Sequence, residues 1–175
     1  LDRHRSIVGR SARMVYIEGN HEDRITQYLE KNPEGVGMLE VPIALKLKQR
    51  GIEWIPYWSK GTLFRLGNAY FCHGRATGTT HTRKMLEKYG VCLYGGHTHT
   101  VEFSSKERWG DNKTLEYGSM GCLCRYDQKY LRGNPTAWQQ SFSVFHVFPG
   151  GFYNHYTVRI FRHRFISPEG KTYGG

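Results

Sequence analysis

Side chains that could hold metal ions collect directly after three short apolar runs of this sequence. Imidazole nitrogens and amide oxygens are good ligands for divalent transition metals. Neighbouring glycines allow the close backbone approach that a crowded metal site needs. A single histidine of this kind is more often a structural residue, but the repeated placement favours a shared metal site. The residues are Asn20 and His21 after residues 14–17, His73 after residues 69–72, and His97 and His99 after residues 91–94.

The apolar runs have the length and composition of strands that are buried on both faces. Helical patterns lie between them, one after His21, one before Gly51 and one over residues 80–89. In the last of these, Thr80 is a candidate cap and Gly90 a stop signal. Strands that alternate with helices predict an α/β layered fold, in which the carboxyl ends of the strands meet at one edge.

The C-terminal third changes to a β-rich pattern. Residues 141–148 and 152–161 predict a hairpin that turns at residues 149–151. This hairpin would form a second sheet or extend the first. The chain shows no repeat and no linker, so we expect residues 1–175 to form a single domain.

Composition excludes several classes of protein. Of the 175 residues, 38% are hydrophobic and 23% charged, which is typical of a globular domain. No apolar run reaches the roughly 18–20 residues of a membrane helix, so a membrane-spanning protein is excluded. The first residues are polar, so we expect no signal peptide. The cysteines lack the spacing of a disulfide framework or a structural zinc site, so we expect them to be reduced in a cytoplasmic protein. They are Cys72, Cys92, Cys122 and Cys124.

A formal net charge of +10 favours polyanionic partners, because neutralising phosphates releases their counterions. A solvated basic surface would give the same balance. The densest basic run could follow a nucleic-acid backbone, or it could protect an edge strand by charge. It comprises Arg159, Arg162, His163 and Arg164.

Three ordered blocks of this sequence resemble the calcineurin-like metallophosphoesterase superfamily. The blocks are Gly-Asn-His-Glu at residues 19–22, His-Gly at residues 73–74 and Gly-His-Thr-His at residues 96–99. The resemblance covers residues 14–100 and is closest to nuclease and phosphodiesterase branches, in particular small bacterial or phage enzymes. It implies a β-sandwich flanked by helices and hydrolysis of phosphodiesters. Among phosphodiesters, the net charge of +10 favours nucleic acid or a nucleotide as the substrate.

The resemblance also implies roles for the clustered side chains. Two divalent ions would bind, Mn²⁺ above all, with Zn²⁺, Fe²⁺ or Ni²⁺ as alternatives. Asn20, His73 and His97 would hold one ion, and His99 the other. His21 would face the scissile phosphate and stabilise the transition state or protonate the leaving oxygen. Glu22 or Asp23 could orient His21.

Two further residues near these blocks could contact the substrate. Arg75 could clamp a phosphate, since guanidinium is a fork-shaped donor, although a solvated charge is the simpler interpretation. His81 could contact substrate or support the site from behind. The helix start at Thr80 could present N–H groups to a phosphate or be a cap alone.

The family's two earlier blocks, Asp-x-His and Gly-Asp-x-x-Asp, do not occur in this sequence. Asp2-Arg3-His4 has the letters of the first, but no apolar strand precedes it and residues 5–18 leave no room for the second. We therefore expect the C-terminal part of a metallophosphoesterase that lacks its N-terminal strands, with an upstream fragment supplying the missing ligands. The alternative is a catalytically incomplete fragment, or a nucleic-acid-binding or structural module that keeps the fold without the reaction.

Overall fold

The computed structural model describes residues 1–57, 63–111 and 113–174. The chain divides into two compact units, Leu1–Phe64 and Arg65–Gly175. In the described ranges, none of the helices combines the length and the apolar character needed to cross a membrane.

The described residues of the first unit form three α-helices, a 3₁₀ turn at Pro33–Gly35 and a two-stranded parallel sheet. Its buried side chains include Leu29, Leu47 and Ile52. The sheet pairs Met14 with Ile52 at one end of the register. The elements are α1 (Asp2–Val8), β1 (Met14–Ile17), α2 (Asn20–Lys31), α3 (Val41–Ala44) and β2 (Ile52–Ile55).

Both elements predicted around the first histidine block are confirmed, since residues 14–17 form β1 and α2 follows. Three apolar or aromatic side chains of α2, Ile25, Tyr28 and Leu29, give this segment its helical pattern. Of these, Leu29 is buried, whereas Ile25 and Tyr28 are exposed. The helix predicted before Gly51 is shorter than expected. The helix α3 ends at Ala44. Lys46 then has a left-handed backbone conformation, with φ 51°, and a right-handed helix cannot continue through such a residue.

The second unit is built on a five-stranded mixed sheet. Its strand order is β3-β4-β5-β7-β6. The strands β4, β5 and β7 run parallel to one another, and β6 runs antiparallel to β7. The strands are β3 (Phe64–Leu66), β4 (Ala69–Phe71), β5 (Leu93–Gly95), β6 (Val101–Arg108) and β7 (Lys113–Met120).

One helix, α4 (His81–Tyr89), packs against β6 and β7. Its buried face carries Met85 and Leu86, and Gly90 ends it in the left-handed conformation. This confirms the helix predicted over residues 80–89. Thr80 occupies the N-cap position but makes no side-chain capping hydrogen bond, so its contribution is the main-chain carbonyl that accepts a bond from Lys84.

The C-terminal hairpin is confirmed as a separate antiparallel two-stranded sheet. It consists of β8 (Ser141–Val147) and β9 (Tyr153–Arg159), joined by a tight turn at Pro149–Gly151. A second short pair, β10 (Phe165–Ile166) and β11 (Thr172–Tyr173), follows it. The chain is therefore a mixed α/β protein, as the alternation of strands and helices predicts.

Candidate functional site

Three parallel strands of the second unit deliver chemically active side chains to one edge of the sheet. β4, β5 and β7 are adjacent and parallel, so their carboxyl ends lie side by side. His73, His97 and Cys122 each stand two residues beyond the end of their strand. The register staggers them by one residue from each strand to the next, so all three stand at that edge in stepwise order.

His73 and His97 are in direct contact there. His73 Nε2 lies 3.1 Å from His97 Nδ1. The main chain fixes this approach, because the carbonyl of His73 accepts hydrogen bonds from the N–H groups of Gly96 and His97, at 3.0 and 2.9 Å. The loops after β4 and β5 are thereby held together, and the two imidazoles share one hydrogen bond.

The nitrogen separation fits a single metal ion. Metal–imidazole bonds of about 2.1 Å would subtend about 95° at an ion shared by nitrogens 3.1 Å apart. That angle is close to the right angle of octahedral coordination, and it falls short of the tetrahedral value. The pair could therefore supply two adjacent ligands of a metal centre, once the ion replaces the hydrogen bond that now joins the two rings.

Glycine is required where the two loops meet. A Cβ on Gly95 would stand 3.0 Å from the carbonyl oxygen of Cys72 and 3.1 Å from that of His73. Gly74 has φ 98°, and a Cβ there would lie 3.1 Å from Cβ of His97. A side chain at either position would push the strand ends, and with them the two imidazoles, apart.

His81 supports the loop between the two histidines of the third block. It is buried, its Nδ1 donates to the Gly78 carbonyl at 2.9 Å, and Thr98 Oγ1 lies 3.1 Å from Nε2. Thr98 also contacts the hydroxyls of Thr100 and Ser119, each at 2.9 Å. Of the two roles that the sequence leaves open for His81, burial favours support of the loop over contact with substrate.

His99 reaches a different set of neighbours. Its backbone is left-handed, with φ 62°, which is unusual for a non-glycine residue and concentrates at functional sites. Its Nδ1 lies 3.8 Å from Cys124 Sγ, which is 3.1 Å from Cys122 Sγ. The ring of Trp138 packs edge-on against His99 at 4.4 Å. The spacing of Cys122 and Cys124 in the sequence does not indicate a metal site. Because β7 lies next to β5 and parallel to it, however, the residues after β7 come close to His99.

The two kinds of thiol near the site differ in environment. Burial raises the pKa of Cys72 to about 12, so that thiol remains a protonated core side chain. Burial, together with the adjacent Cys122 thiol, raises the pKa of Cys124 to about 11. Cys122 and Cys124 are only half-buried, and all four cysteines are free, as predicted.

Asn20 and His21 lie in the first unit, at the first turn of α2. His21 is exposed and Asn20 half-buried. Glu22 does not orient His21, because one carboxylate oxygen accepts the Gly19 N–H at 3.1 Å and the other accepts the Tyr16 hydroxyl at 3.0 Å. Glu22 is instead the capping residue of the helix.

Asp23 and Asp2 are likewise engaged elsewhere in the first unit. Asp23 accepts a hydrogen bond from Gln27 one helical turn on, at 2.7 Å. Asp2 forms a two-pronged ion pair with Arg50, at 2.6 and 2.8 Å. The guanidinium of Arg50 holds the pKa of Asp2 below its ordinary value. This pairing explains Asp2 without a metal, in agreement with the sequence argument against the Asp-x-His block.

A buried carboxylate that the sequence analysis did not single out precedes Asn20. Glu18 is 1% exposed, and its Oε2 accepts the Tyr57 N–H at 2.7 Å. Its other oxygen, Oε1, has no hydrogen-bond partner among the described residues. A buried polar atom of this kind needs a proton, a water or a ligand. The only sequence signal was its place at the end of an apolar strand.

The remaining predicted substrate residue, Arg75, is exposed two residues after His73.

No family model, curated protein or solved structure matches this chain.

Proposed function

We propose that this chain is a metal-dependent phosphoesterase that hydrolyses phosphodiesters, with nucleic acid or a nucleotide as substrate. The single observation that carries the proposal is the pair of imidazole nitrogens of His73 and His97, 3.1 Å apart at the carboxyl ends of adjacent parallel strands. The proposal includes a metallophosphoesterase-like fold, a β-sandwich flanked by helices, and a location in the cytoplasm.

The proposed ligand set follows the resemblance of the three sequence blocks. By that resemblance, Asn20, His73 and His97 would hold one divalent ion, Mn²⁺ above all, and His99 would contribute to a second. Bound metal ions would polarise the phosphoryl group and lower the pKa of a coordinated water. The main-chain hydrogen bonds to the His73 carbonyl support this assignment, because they bring the backbones of His73 and His97 together before any ion arrives.

The other residues act on the phosphodiester itself or on the loops around it. His21 donates a proton to the leaving oxygen, a role that suits imidazole near neutral pH. Arg75, exposed beyond His73, contacts a non-bridging phosphate oxygen. His81 fixes Thr98, and through it the orientation of His97 and His99, by the hydrogen bond to Nε2.

A basic groove in the second unit supports nucleic acid as the polyanion, with or without catalysis. Arg159, Arg162 and Arg164 line one surface groove together with Phe161, an exposed aromatic residue. Guanidinium groups neutralise phosphates and aromatic rings stack on bases. The second candidate function is accordingly a nucleic-acid-binding module that keeps the fold without the reaction, or a fragment that needs an upstream segment to complete its ligands.

The test measures metal binding and turnover on the same protein. Calorimetric titration with Mn²⁺ should show binding that weakens in His73→Ala and in His97→Ala, and hydrolysis of bis(para-nitrophenyl) phosphate should require the metal. His146→Ala, an exposed histidine on β8, is the matched control and should change neither. Unchanged Mn²⁺ affinity in both variants would overturn the metal assignment. Metal binding without turnover would favour the binding module.

A further inference from the structure

Two cysteines and a histidine meet at the edge of the sheet beyond the His73–His97 pair. Within the described part of the chain, His99, Cys122 and Cys124 present one ligand atom each, and these atoms all lie within 4.8 Å of one another. We propose that these three residues form a separate site for a thiophilic divalent ion, Zn²⁺ above all, with two thiolates and one imidazole as ligands. The site shares His99 with the second ion of the proposed phosphoesterase, but it does not require that reaction, because its other two ligands, Cys122 and Cys124, have no part in it.

The distances are close to those of tetrahedral zinc. Bonds of about 2.3 Å to sulfur and 2.05 Å to nitrogen place a sulfur and a nitrogen ligand about 3.6 Å apart, and two sulfurs about 3.8 Å apart. Cys124 Sγ and His99 Nδ1 are 3.8 Å apart. The two sulfurs, at 3.1 Å, must separate by about 0.7 Å, which a small rotation of either cysteine side chain provides.

The main chain holds the three residues in place from a common segment. The Gln139 N–H donates to the His99 carbonyl at 2.8 Å, and the Cys122 N–H donates to the Gln139 carbonyl at 3.0 Å. The side chain of Gln140 donates to the Cys124 carbonyl at 2.9 Å. One short stretch of chain therefore fixes all three ligand-bearing residues, so binding would order little that is not already ordered.

Glycine at position 121 makes this arrangement possible. Gly121 has φ 74°, and a Cβ there would meet Ser141 Oγ at 2.0 Å and the Gln139 carbonyl at 2.5 Å. The chain can turn from β7 into Cys122 at this point only without a side chain. Together with the left-handed His99, the site contains two constrained backbone positions in its immediate surroundings.

The ligand chemistry selects the ion. Thiolates and imidazole favour zinc over manganese or magnesium, which take carboxylate, carbonyl and water oxygens. The set of two cysteines and one histidine leaves the fourth tetrahedral position open to water or to another small ligand. This ion class differs from the one that Asn20, His73 and His97 would prefer, so the two sites can be distinguished by spectroscopy.

The test uses Co²⁺ as a spectroscopic substitute for Zn²⁺ in the reduced full chain. One equivalent should produce the near-ultraviolet band of thiolate-to-cobalt charge transfer, and Zn²⁺ should displace it. Cys122→Ser and Cys124→Ser should each weaken Zn²⁺ affinity at least about 100-fold, since even outer-shell losses cost about 10–100-fold. His99→Ala should weaken the affinity as well. Cys92→Ser, a half-buried cysteine elsewhere in the chain, should have no effect.

Two further measurements keep the result clear. His73→Ala should retain the charge-transfer band, which separates this site from the His73–His97 pair whatever the phosphoesterase test yields. In the unaltered protein, saturating Zn²⁺ should slow alkylation of Cys122 and Cys124, measured peptide by peptide, without slowing that of Cys92. Absence of the band in the unaltered protein, or alkylation of both thiols at a rate independent of zinc, would overturn the proposal.

Discussion

At the scale of single residues, His73 performs two tasks with different parts of its structure. Its carbonyl receives the N–H groups of Gly96 and His97, whereas its ring provides the nitrogen next to His97. Removing the ring leaves the carbonyl clamp intact. A loss of metal affinity in His73→Ala can therefore be attributed to the missing ligand, and the strand ends should keep their positions.

His21 gives the sharpest prediction at this scale. It is exposed at the start of α2, next to the proposed ligand Asn20. If it protonates the leaving oxygen, His21→Ala should lower kcat by about 10²–10⁴ in metal-dependent phosphodiester hydrolysis. Metal affinity by calorimetry should stay within a factor of about two, because the ring is not a ligand.

The control for His21 lies on the same helix. Arg24→Ala removes an exposed side chain one turn on and should leave kcat unchanged. If His21→Ala abolishes metal binding, His21 is a ligand and the division of roles within the first block is wrong.

At the scale of elements, the contact between the loops after β4 and β5 depends on the size of one residue. Gly95→Ala would force a Cβ against two carbonyl oxygens at 3.0 and 3.1 Å. Overpacking of this kind typically costs about 1–3 kcal/mol. We expect a lower Tm and weaker Mn²⁺ binding together, because the strand ends that separate also carry His73 and His97.

The adjacent glycine provides the control for this substitution. A Cβ on Gly96 would meet only the Gly121 carbonyl, at an ordinary contact distance of 3.5 Å. Gly96→Ala should therefore leave both Tm and Mn²⁺ affinity nearly unchanged, as measured by thermal unfolding and calorimetry. Equal effects of the two alanines would show that crowding at Gly95 does not position the histidines.

A half-buried polar cluster connects the hairpin to the main sheet. Glu116 on β7 accepts hydrogen bonds from His155 of β9 at 2.7 Å and from Tyr94 of β5 at 2.9 Å. The bond from His155, followed by the bond from Tyr94, lowers the pKa of Glu116 despite its partial burial. A carboxylate with a lowered pKa stabilises the fold above its ordinary pKa of 4.5, and that stabilisation is lost as the pH falls through the lowered value.

Replacing Glu116 should therefore have a pH-dependent effect. Glu116→Gln should destabilise the protein by about 1–3 kcal/mol at pH 7, because it removes the charge from the oxygen that accepts from the buried Tyr94 hydroxyl and the half-buried His155 ring. Each kcal/mol corresponds to about 2–4 °C in Tm for a chain of this size. The difference from the unaltered protein should shrink at pH 3, whereas Glu107→Gln, an exposed residue on β6, should change Tm little at either pH.

The sequence predicts elements well where local signals are strong. β1, α4 and the hairpin β8–β9 all appear where apolar runs, a glycine stop and a glycine-rich turn indicate them. The helix before Gly51 ends early because the left-handed Lys46 has no marker in residue type. The sequence does not mark the long strands β6 and β7 as separate elements, because polar residues on their exposed faces interrupt the apolar pattern.

The same limit applies to the candidate site. Histidines at strand ends can be read from a sequence, because each follows its own apolar run. The meeting of His99 with Cys122 and Cys124 cannot, because it depends on β7 entering the sheet next to β5 and parallel to it. The support of Thr98 by His81 is equally nonlocal, since it requires α4 to pack on the sheet.

At the scale of the whole molecule, the net charge of +10 raises the question of whether charge acts generally or at one place. A diffuse positive field would attract any polyanion, and each lost cation would weaken binding equally. A defined groove would make particular arginines count more than others. The groove lined by Arg159, Arg162 and Arg164 allows the two cases to be separated.

We expect single-stranded nucleic acid to bind in this groove with strong dependence on salt. Each phosphate contact contributes about 0.7 to the slope of log affinity against log salt for single strands. Changing Arg159, Arg162 and Arg164 together to glutamine should therefore lower the slope by about 2, as measured by fluorescence anisotropy over a salt series.

The matched control changes three exposed cations on α4 to glutamine, Arg83, Lys84 and Lys88. It removes the same number of positive charges elsewhere in the second unit. If the two triple variants lose equal affinity and slope, the field of the whole molecule governs binding and the groove has no special part in it. If the unaltered protein binds no nucleic acid even at low salt, the positive charge has another role and nucleic acid is not the substrate.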